Sequence, residues 1–459
     1  MLNLNKMQLK FILRTAAVST AGGQTRANAV TSLNELAKQC LPTDYCSLFS
    51  RIRLTSASSN EAMVELYDAD IISKMVNPLY LNHEKRSANA VFVRNSSQRN
   101  ALSGNNAFTG GFVAGDFPEN SVGTVKIREV QGSRDFPYSK LAANRGRTNF
   151  DEQSYFQVLN NKATVIAGTT DVATDWVIQL SSEVEICVDL GKLLHTTIFG
   201  INKSIFYPSS LKLELTFNPA RDMIFQFATA ETGVGEVKAI AAPSITIADM
   251  RIEYPQEADY NLRNMLINST QAYNLVLPYI YQSQQQANQT GVIQNNYYLP
   301  KSSAVRLLAF VGGLMKRDGT DQTFIRANSY NQFLEGGSDQ KYKSFELRDN
   351  NKVLLRLEKA NDLSPYMRHF LDGTDSSLCK TEQQIENYGC VYMPFDTDQR
   401  KIFDFSENCM KGMMLHDMDH YLNAQFNATT ADGKNVYENY GVYITLRNVL
   451  VSNKGFQFM

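Results

Sequence analysis

The residues best placed by type and spacing to do chemistry are His416 and His420, in MMLHDMDHYLNAQF. On a helix, histidines four apart share one face and could hold a zinc ion. The zinc-protease pattern requires Glu directly after the first histidine, where this chain has Asp417. The neighbours also alternate with a period of two. Met414, His416, Met418, His420, Leu422, Ala424 and Phe426 fall on one side; Leu415, Asp417, Asp419, Tyr421, Asn423 and Gln425 fall on the other. On a strand, residues four apart stand about 13 Å from each other, too far to share a metal. The pair therefore reads as part of a packed strand. His83, His195 and His369 stand in no recognisable motif.

Other reaction chemistry is equally sparse. There is no phosphate-binding Gly-x-x-x-x-Gly-Lys-Ser/Thr and no Gly-x-Ser-x-Gly elbow. Gly233-Val234-Gly235 lacks the third glycine of a dinucleotide fingerprint and reads as a turn. Six cysteines (Cys40, Cys46, Cys187, Cys379, Cys390 and Cys409) are too few for a disulfide framework, and none forms Cys-x-x-Cys. They read as free buried thiols of a reducing compartment. Carboxylates are scattered, so glycoside hydrolysis by two distant acids stays open. The single Trp176 argues against an aromatic sugar platform. No catalytic, cofactor-binding or metal-ligating residue is expected, and the chain does not read as an enzyme.

The elements that would position any site are strands. Leu211, Leu213, Leu215 and Phe217 alternate with Lys212, Glu214 and Thr216. Val184, Ile186 and Val188 do the same, as do Val353, Leu355 and Leu357. The pattern recurs at 125–129 and around Met223, Phe225 and Phe227. This is the signature of half-buried strands. Helical spacing is confined to short stretches: Glu61–Met75, 257–267 and Leu363–Leu371. Near the start, Ser32 with Glu35 forms a capping box ahead of a helix carrying Val30, Leu33, Leu36 and Cys40.

Composition sets the frame. The 459 residues carry 45 Lys+Arg against 46 Asp+Glu, which excludes a strongly basic nucleic-acid binder. Tyr 22 and Phe 25 with modest charge favour strands joined by turns. No apolar run reaches 18 residues, so no membrane-spanning helix is expected, and the start lacks a signal-peptide core. Residues 1–40 read as a locally basic arm (Lys6, Lys10, Arg14, Arg26) with one short helix. Residues 82–122 and 282–297 read as loops rich in Asn, Ser, Gly and Gln. ADGKN at 431–435 reads as a late hairpin or tight connection. A boundary near 260–275 divides two strand-rich halves, 41–272 and 273–459. The fold class is all-β, with sandwiches or jelly rolls and short helices in the loops.

Several blocks carry a family likeness. YCSLFSRIRLTSASSNEAMVELYDADIISKMV at 45–76 resembles an early block of double jelly-roll major capsid proteins, through Ser47, Leu48, Phe49, Arg51, Ile52, Arg53, Glu65 and Tyr67. There the family places an alternating strand, a Glu-bearing turn and a short Tyr-containing helix. DWVIQLSSEVEICVDLGKLL and IFYPSSLKLELTFN continue the likeness. In the second half it is carried by LPKSSAVRLLAFV, SFELRDNNKVLLRLE, SPYMRHFLD, CVYMPFDTD and GVYITLRNVLV. These are similar to capsid proteins of virophages and Polinton-like viruses, DNA-virus relatives of adenovirus. The resemblance implies two consecutive jelly rolls per chain and a homotrimer forming a pseudo-hexameric capsomer. It also implies tiling of an icosahedral virion, with neighbouring capsomers, penton and minor or cement proteins as partners. No small-molecule substrate or cofactor follows from it, and the basic arm would face an inner membrane or genome. Two other readings of a β-rich chain are a receptor- or glycan-binding module of the spike or lectin kind, and a β-rich glycan hydrolase.

Overall fold

The computed structural model describes residues 1–36, 39–42, 48–69, 125–128, 156–287, 291–298, 304–316, 342–358, 390–394, 413–414, 420–428 and 435–458, apart from short gaps within these spans. The earlier strands are β1 Gln8–Thr15, β2 Val18–Ser19, β3 Gln39–Pro42, β4 Phe49–Ser56, β5 Ser59–Tyr67, β6 Val125–Arg128, β7 Phe156–Val158, β8 Asn160–Ala167, β9 Val177–Asp189, β10 Leu211–Phe217, β11 Phe225–Thr229, β12 Gly235–Ala239 and β13 Ile245–Glu253. Helices α1 Arg26–Leu36, α2 Leu190–Leu193, α3 Ala220–Met223 and α4 Tyr260–Asn268 lie among and after them. The later strands are β14 Tyr273–Ala287, β15 Gly291–Tyr298, β16 Ala304–Lys316, β17 Tyr342–Asp349, β18 Lys352–Glu358, β19 Cys390–Pro394, β20 Met413–Met414, β21 His420–Ala428, β22 Asn435–Ser452 and β23 Gly455–Phe458. The chain is all-β with short helices, as its period-two patterning implies.

The later strands have a diagnostic order. One sheet runs β14-β22-β16-β19 and the other β15-β21-β17-β18, with β20 beside β16 and β23 beside β22. Setting those two short strands aside, eight principal strands remain. Counted in chain order, they form the sheets 1-8-3-6 and 2-7-4-5. That is the jelly roll, a doubled Greek key in which the chain alternates between two antiparallel sheets. Pro278 is tolerated in β14 because that strand lies at a sheet edge.

The earlier strands build a six-stranded sheet, β13-β1-β9-β8-β6 with β2 beside β9, and two smaller sheets, β10-β4-β5 and β12-β11-β3-β7. β1 lies inside this sheet, antiparallel to both β13 and β9. Its Leu9, Phe11 and Leu13 are fully buried on one face. Phe11 meets Phe217 of β10 edge-on, ring centres 5.6 Å apart, and Phe217 in turn packs on Phe49 of β4 at 5.0 Å. This aromatic column joins the six-stranded sheet to the sheet β10-β4-β5 across the core. At the other end of the sheet, Ala29, Val30 and Leu33 of α1 pack on Ala163, Val165, Trp176, Ile178 and Leu180. A Cβ on Gly168, where φ is +157°, would lie 2.5 Å from the Trp176 ring, so only glycine fits there.

Several sequence expectations are corrected. The first 40 residues are not an arm, because β1 is paired on both sides within a sheet. α1 begins at Arg26, with the Ala29 amide donating to the Thr25 carbonyl, so Ser32 is mid-helix and caps nothing. The stretch Glu61–Met75 is not a helix over its first part. Ser59–Tyr67 is β5, paired with β4 so that Leu66 lies opposite Ile52 and Val64 opposite Leu54. The cross-strand apolar pairs outweigh helical spacing in a short run. The Gln- and Asn-rich segment 282–297 is mostly the end of β14 and all but the last residue of β15. The run 414–426 is not one strand: Met413–Met414 pairs with β16 in one sheet and His420–Ala428 lies in the other. Of ADGKN only Asn435 is described; the strands on either side, β21 and β22, belong to different sheets. The segments 82–122 and Leu363–Leu371, together with His83, His369 and His416, lie outside the described residues.

Candidate assembly surface

The residues singled out for chemistry do not converge. His195 is buried in the turn after α2. Cys187 is half-buried on β9, and burial pushes its thiol pKa up, away from a reactive thiolate. His420 opens β21 opposite Asp349. Among the described residues, no group of three or more His, Cys, Asp or Glu could hold a metal ion. Trp176 is fully buried; its Nε1–H donates to the Thr170 carbonyl at 2.8 Å, and it cannot act as a sugar platform. No helix among the described residues is long and apolar enough to cross a membrane.

Three of the four early basic residues are paired inside the chain, while Lys6 is exposed. Lys10 Nζ bonds Glu253 at 2.6 Å, Arg14 Nε bonds Glu183 at 3.1 Å, and Arg26 pairs with Asp171 at 2.7 Å. The hydrogen bond from Lys10 holds the Glu253 carboxyl below its ordinary range. These charges stitch β1 to its flanking strands and α1 to the 168–176 turn.

The conspicuous polar construction lies on the outer face of β10-β4-β5. Register places Glu214 opposite Arg53 and Arg53 opposite Glu65, while Ile52, Leu54, Leu213 and Leu215 take the opposite face. Glu65 accepts from Arg51 at 2.5 Å and from the Tyr67 hydroxyl at 2.7 Å, with Arg53 3.6 Å away. Glu214 is held by Lys212 at 2.6 Å and Arg53 at 3.4 Å. Burial acts to raise the Glu65 pKa, but the bonds from Tyr67 and Arg51 outweigh it and hold the carboxyl below the usual range. A carboxylate so heavily donated to is a poor base; the ladder fastens three strands.

The same strands meet the later part of the chain. β5 lies against β14 and β23. Gln282 grips the end of β5 with both ends of its amide: its Oε1 accepts from the Tyr67 amide at 2.8 Å and its Nε2 donates to the Tyr67 carbonyl at 2.7 Å. Arg447 stacks over Tyr279 at 4.8 Å and approaches Glu61 at 3.6 Å. Tyr207 packs on Phe456 at 5.6 Å, and the Tyr273 hydroxyl donates to the Phe206 carbonyl at 3.3 Å. Of the residues in this seam, Tyr67 stands in the 45–76 block that carries the family likeness. Gln282 carries no such signal, because it stands in a stretch that reads as loop.

No family model and no curated protein matches this chain. Solved structures with a similar course include the mavirus major capsid protein, with 9% identity and a TM-score of 0.43 over 99% of this chain and 83% of that one. The Sputnik virophage structure gives 10% and 0.47, covering 99% and 81%. PBCV-1 VP54, fitted into a reconstruction of Sputnik, gives 8% and 0.41, covering 98% and 88%.

Proposed function

We propose that this chain is a structural shell protein, a double jelly-roll major capsid protein that assembles as homotrimers into pseudo-hexameric capsomers of an icosahedral virion. The observation that carries the reading is the 1-8-3-6 and 2-7-4-5 strand order of the later half. The earlier half, 41–272 with β1 added, would be the companion sandwich, and 273–459 the jelly roll just described. The seam at Tyr67 and Gln282 supports a capsomer in which the two sandwiches of a chain stand side by side as one block. The near balance of 45 basic and 46 acidic residues suits a tile set edge to edge with copies of itself, where net charge would oppose assembly. Its place would be the virion shell. Its partners would be other copies of itself, neighbouring capsomers, penton and minor or cement proteins, and it would turn over no substrate.

The test is the purified full chain, weighed by native mass spectrometry and imaged by negative stain. The expected result is a mass three times 51.6 kDa and particles with hexagonal outlines. A chain that stays monomeric at high concentration and forms no lattice overturns the reading.

A further inference from the structure

β13 is a sheet edge guarded at two points and open between them. It pairs with β1 on one side, and among the described residues no strand lies along its other side. Between Lys10 and Ile12 of β1 the register shifts, so Asp249 and Met250 together stand opposite Phe11. Asp249 adopts φ +50°, the left-handed conformation Asp tolerates, and the pair forms a β-bulge. Pro255 closes the other end, two residues past Glu253. Bulges and prolines are common means of keeping a sheet edge from pairing with another chain. Here they bracket residues 250–254, which neither covers. Ile245, Ile247 and Ala248 are half-buried, whereas every residue from Asp249 to Glu253 is exposed.

The side chains of this open stretch are ordered so as to complement themselves. Ile252 lies opposite the buried Leu9 and Arg251 opposite Lys10, so the two occupy opposite faces. Strand parity then puts Met250, Ile252 and Tyr254 on one face, exposed at 46%, 40% and 54%, and Arg251 and Glu253 on the other. An antiparallel copy with its two-fold axis at Ile252 sets Ile252 against Ile252 of the second copy. Met250 then meets Tyr254 of the second copy, and Arg251 meets Glu253 of the second copy, each pair occurring twice. Apolar groups face apolar groups and every charge faces its opposite, the cross-strand pairs that stabilise sheets. The neighbouring registers that keep like faces together, with the axis at Arg251 or at Glu253, set equal charges opposite each other.

We infer that β13 adds edge to edge to the β13 of a second copy of this chain, residues 250–254 pairing antiparallel about a two-fold axis at Ile252. Two six-stranded sheets thereby become one continuous sheet. Main-chain bonds along the joined edges supply affinity, and the order of side chains supplies the register. Charge complementarity singles out a second copy as the occupant, because Arg251 and Glu253 satisfy their own counterparts. Such a contact is isologous and has no place inside a three-fold capsomer, so in the proposed shell it joins one trimer to the next. That placement deepens the proposed function and rests on it; the pairing itself stands on the strand alone.

The experiment is oxidative cross-linking of the full chain carrying introduced cysteines, read on non-reducing gels beside native mass spectrometry. In the inferred register the two copies of residue 252 have Cα atoms about 4.5–5.5 Å apart, within disulfide reach. The two copies of residue 250 stand at least about 13 Å apart. Ile252→Cys is therefore expected to give a covalent dimer, Met250→Cys none, and Met250→Cys/Tyr254→Cys a dimer again. The unaltered chain and Val172→Cys, a position 84% exposed in the 168–176 turn, set the background. Arg251→Glu is expected to weaken the association about tenfold, and Arg251→Glu/Glu253→Arg to restore it. Trimers in which Ile252→Cys cross-links no more than Val172→Cys overturn the pairing and leave the capsid reading standing. Cross-linking at 252 in a chain that forms no trimer upholds the pairing and overturns the capsid reading. Should Ile252→Cys not fold, the charge swap decides: recovery in the double variant upholds the pairing, and failure to recover overturns it.

Discussion

Replacing Phe11 with Ala tests whether the start of the chain is a core strand. Phe11 is 1% exposed and touches Phe217 across the two sheets. A buried Phe→Ala change costs about 3–5 kcal/mol, of which about 0.5–1.5 kcal/mol belongs to the ring–ring geometry. The neighbouring Lys10→Ala removes the ion pair with Glu253, whose side chains are 23% and 48% exposed; such a pair is worth about 0.2–1 kcal/mol. A core strand therefore predicts that Phe11→Ala is at least three times as damaging as Lys10→Ala. In a unit of some 200 residues the Phe11 loss corresponds to a fall in Tm of about 6–20 °C, against less than about 4 °C for Lys10. Urea unfolding followed by tyrosine fluorescence and circular dichroism measures both. All samples must be held at one protein concentration, because assembly stabilises by mass action. If Phe11→Ala lies within about 1 kcal/mol of the unaltered chain, β1 is not part of the core and the argument fails.

Three further outcomes follow from named contacts. A Cβ on Gly191 would stand 1.9 Å from the Asn5 carbonyl oxygen, so Gly191→Ala must push the 1–7 segment off α2; lowered yield and a lost unfolding transition are expected, and an unchanged Tm would refute the packing. Gln282→Ala removes both bonds to the Tyr67 backbone, at about 0.5–1.5 kcal/mol each, and limited proteolysis near 260–272 should quicken. Glu65 has a folded pKa below its unfolded one, so its contribution is present above about pH 4.5 and is lost as pH falls through the folded value. Glu65→Gln should thus flatten the acid side of the stability curve, and an unchanged acid profile would sink the ladder's role.

The strands that were legible in the sequence share one property: a single face meets a core. Leu211–Phe217 alternates cleanly for that reason. β1 alternates too, as Leu9, Phe11 and Leu13 against Lys10 and Arg14, but its basic residues drew attention away from the period. The end of β14 was illegible because β14 pairs with β22 out to Ala287 and Tyr437 through glutamines on both faces. A strand polar on both sides has no hydrophobic signal to read. The jelly-roll order could not be read either, since it depends on which strands pair and not on any one strand's composition. Ile252 and Met265 read in the sequence like core residues, yet they are 40% and 71% exposed.

β22 carries a consequence for synthesis. It bonds β14 along its full length, from Tyr273 opposite Val451 to Ala287 opposite Tyr437. The two partners are separated by nearly the whole of the later half. At roughly 5–20 residues per second on the ribosome, β14 waits on the order of 10–40 s before its sheet neighbour among the described residues exists. During that interval a nascent chain offers an open strand edge, the form most prone to pair with the wrong copy. A chain broken off before residue 435 could never close this sheet. The topology thus acts as a length check: a product that stops before β22 lacks the strand that joins β14 to β16.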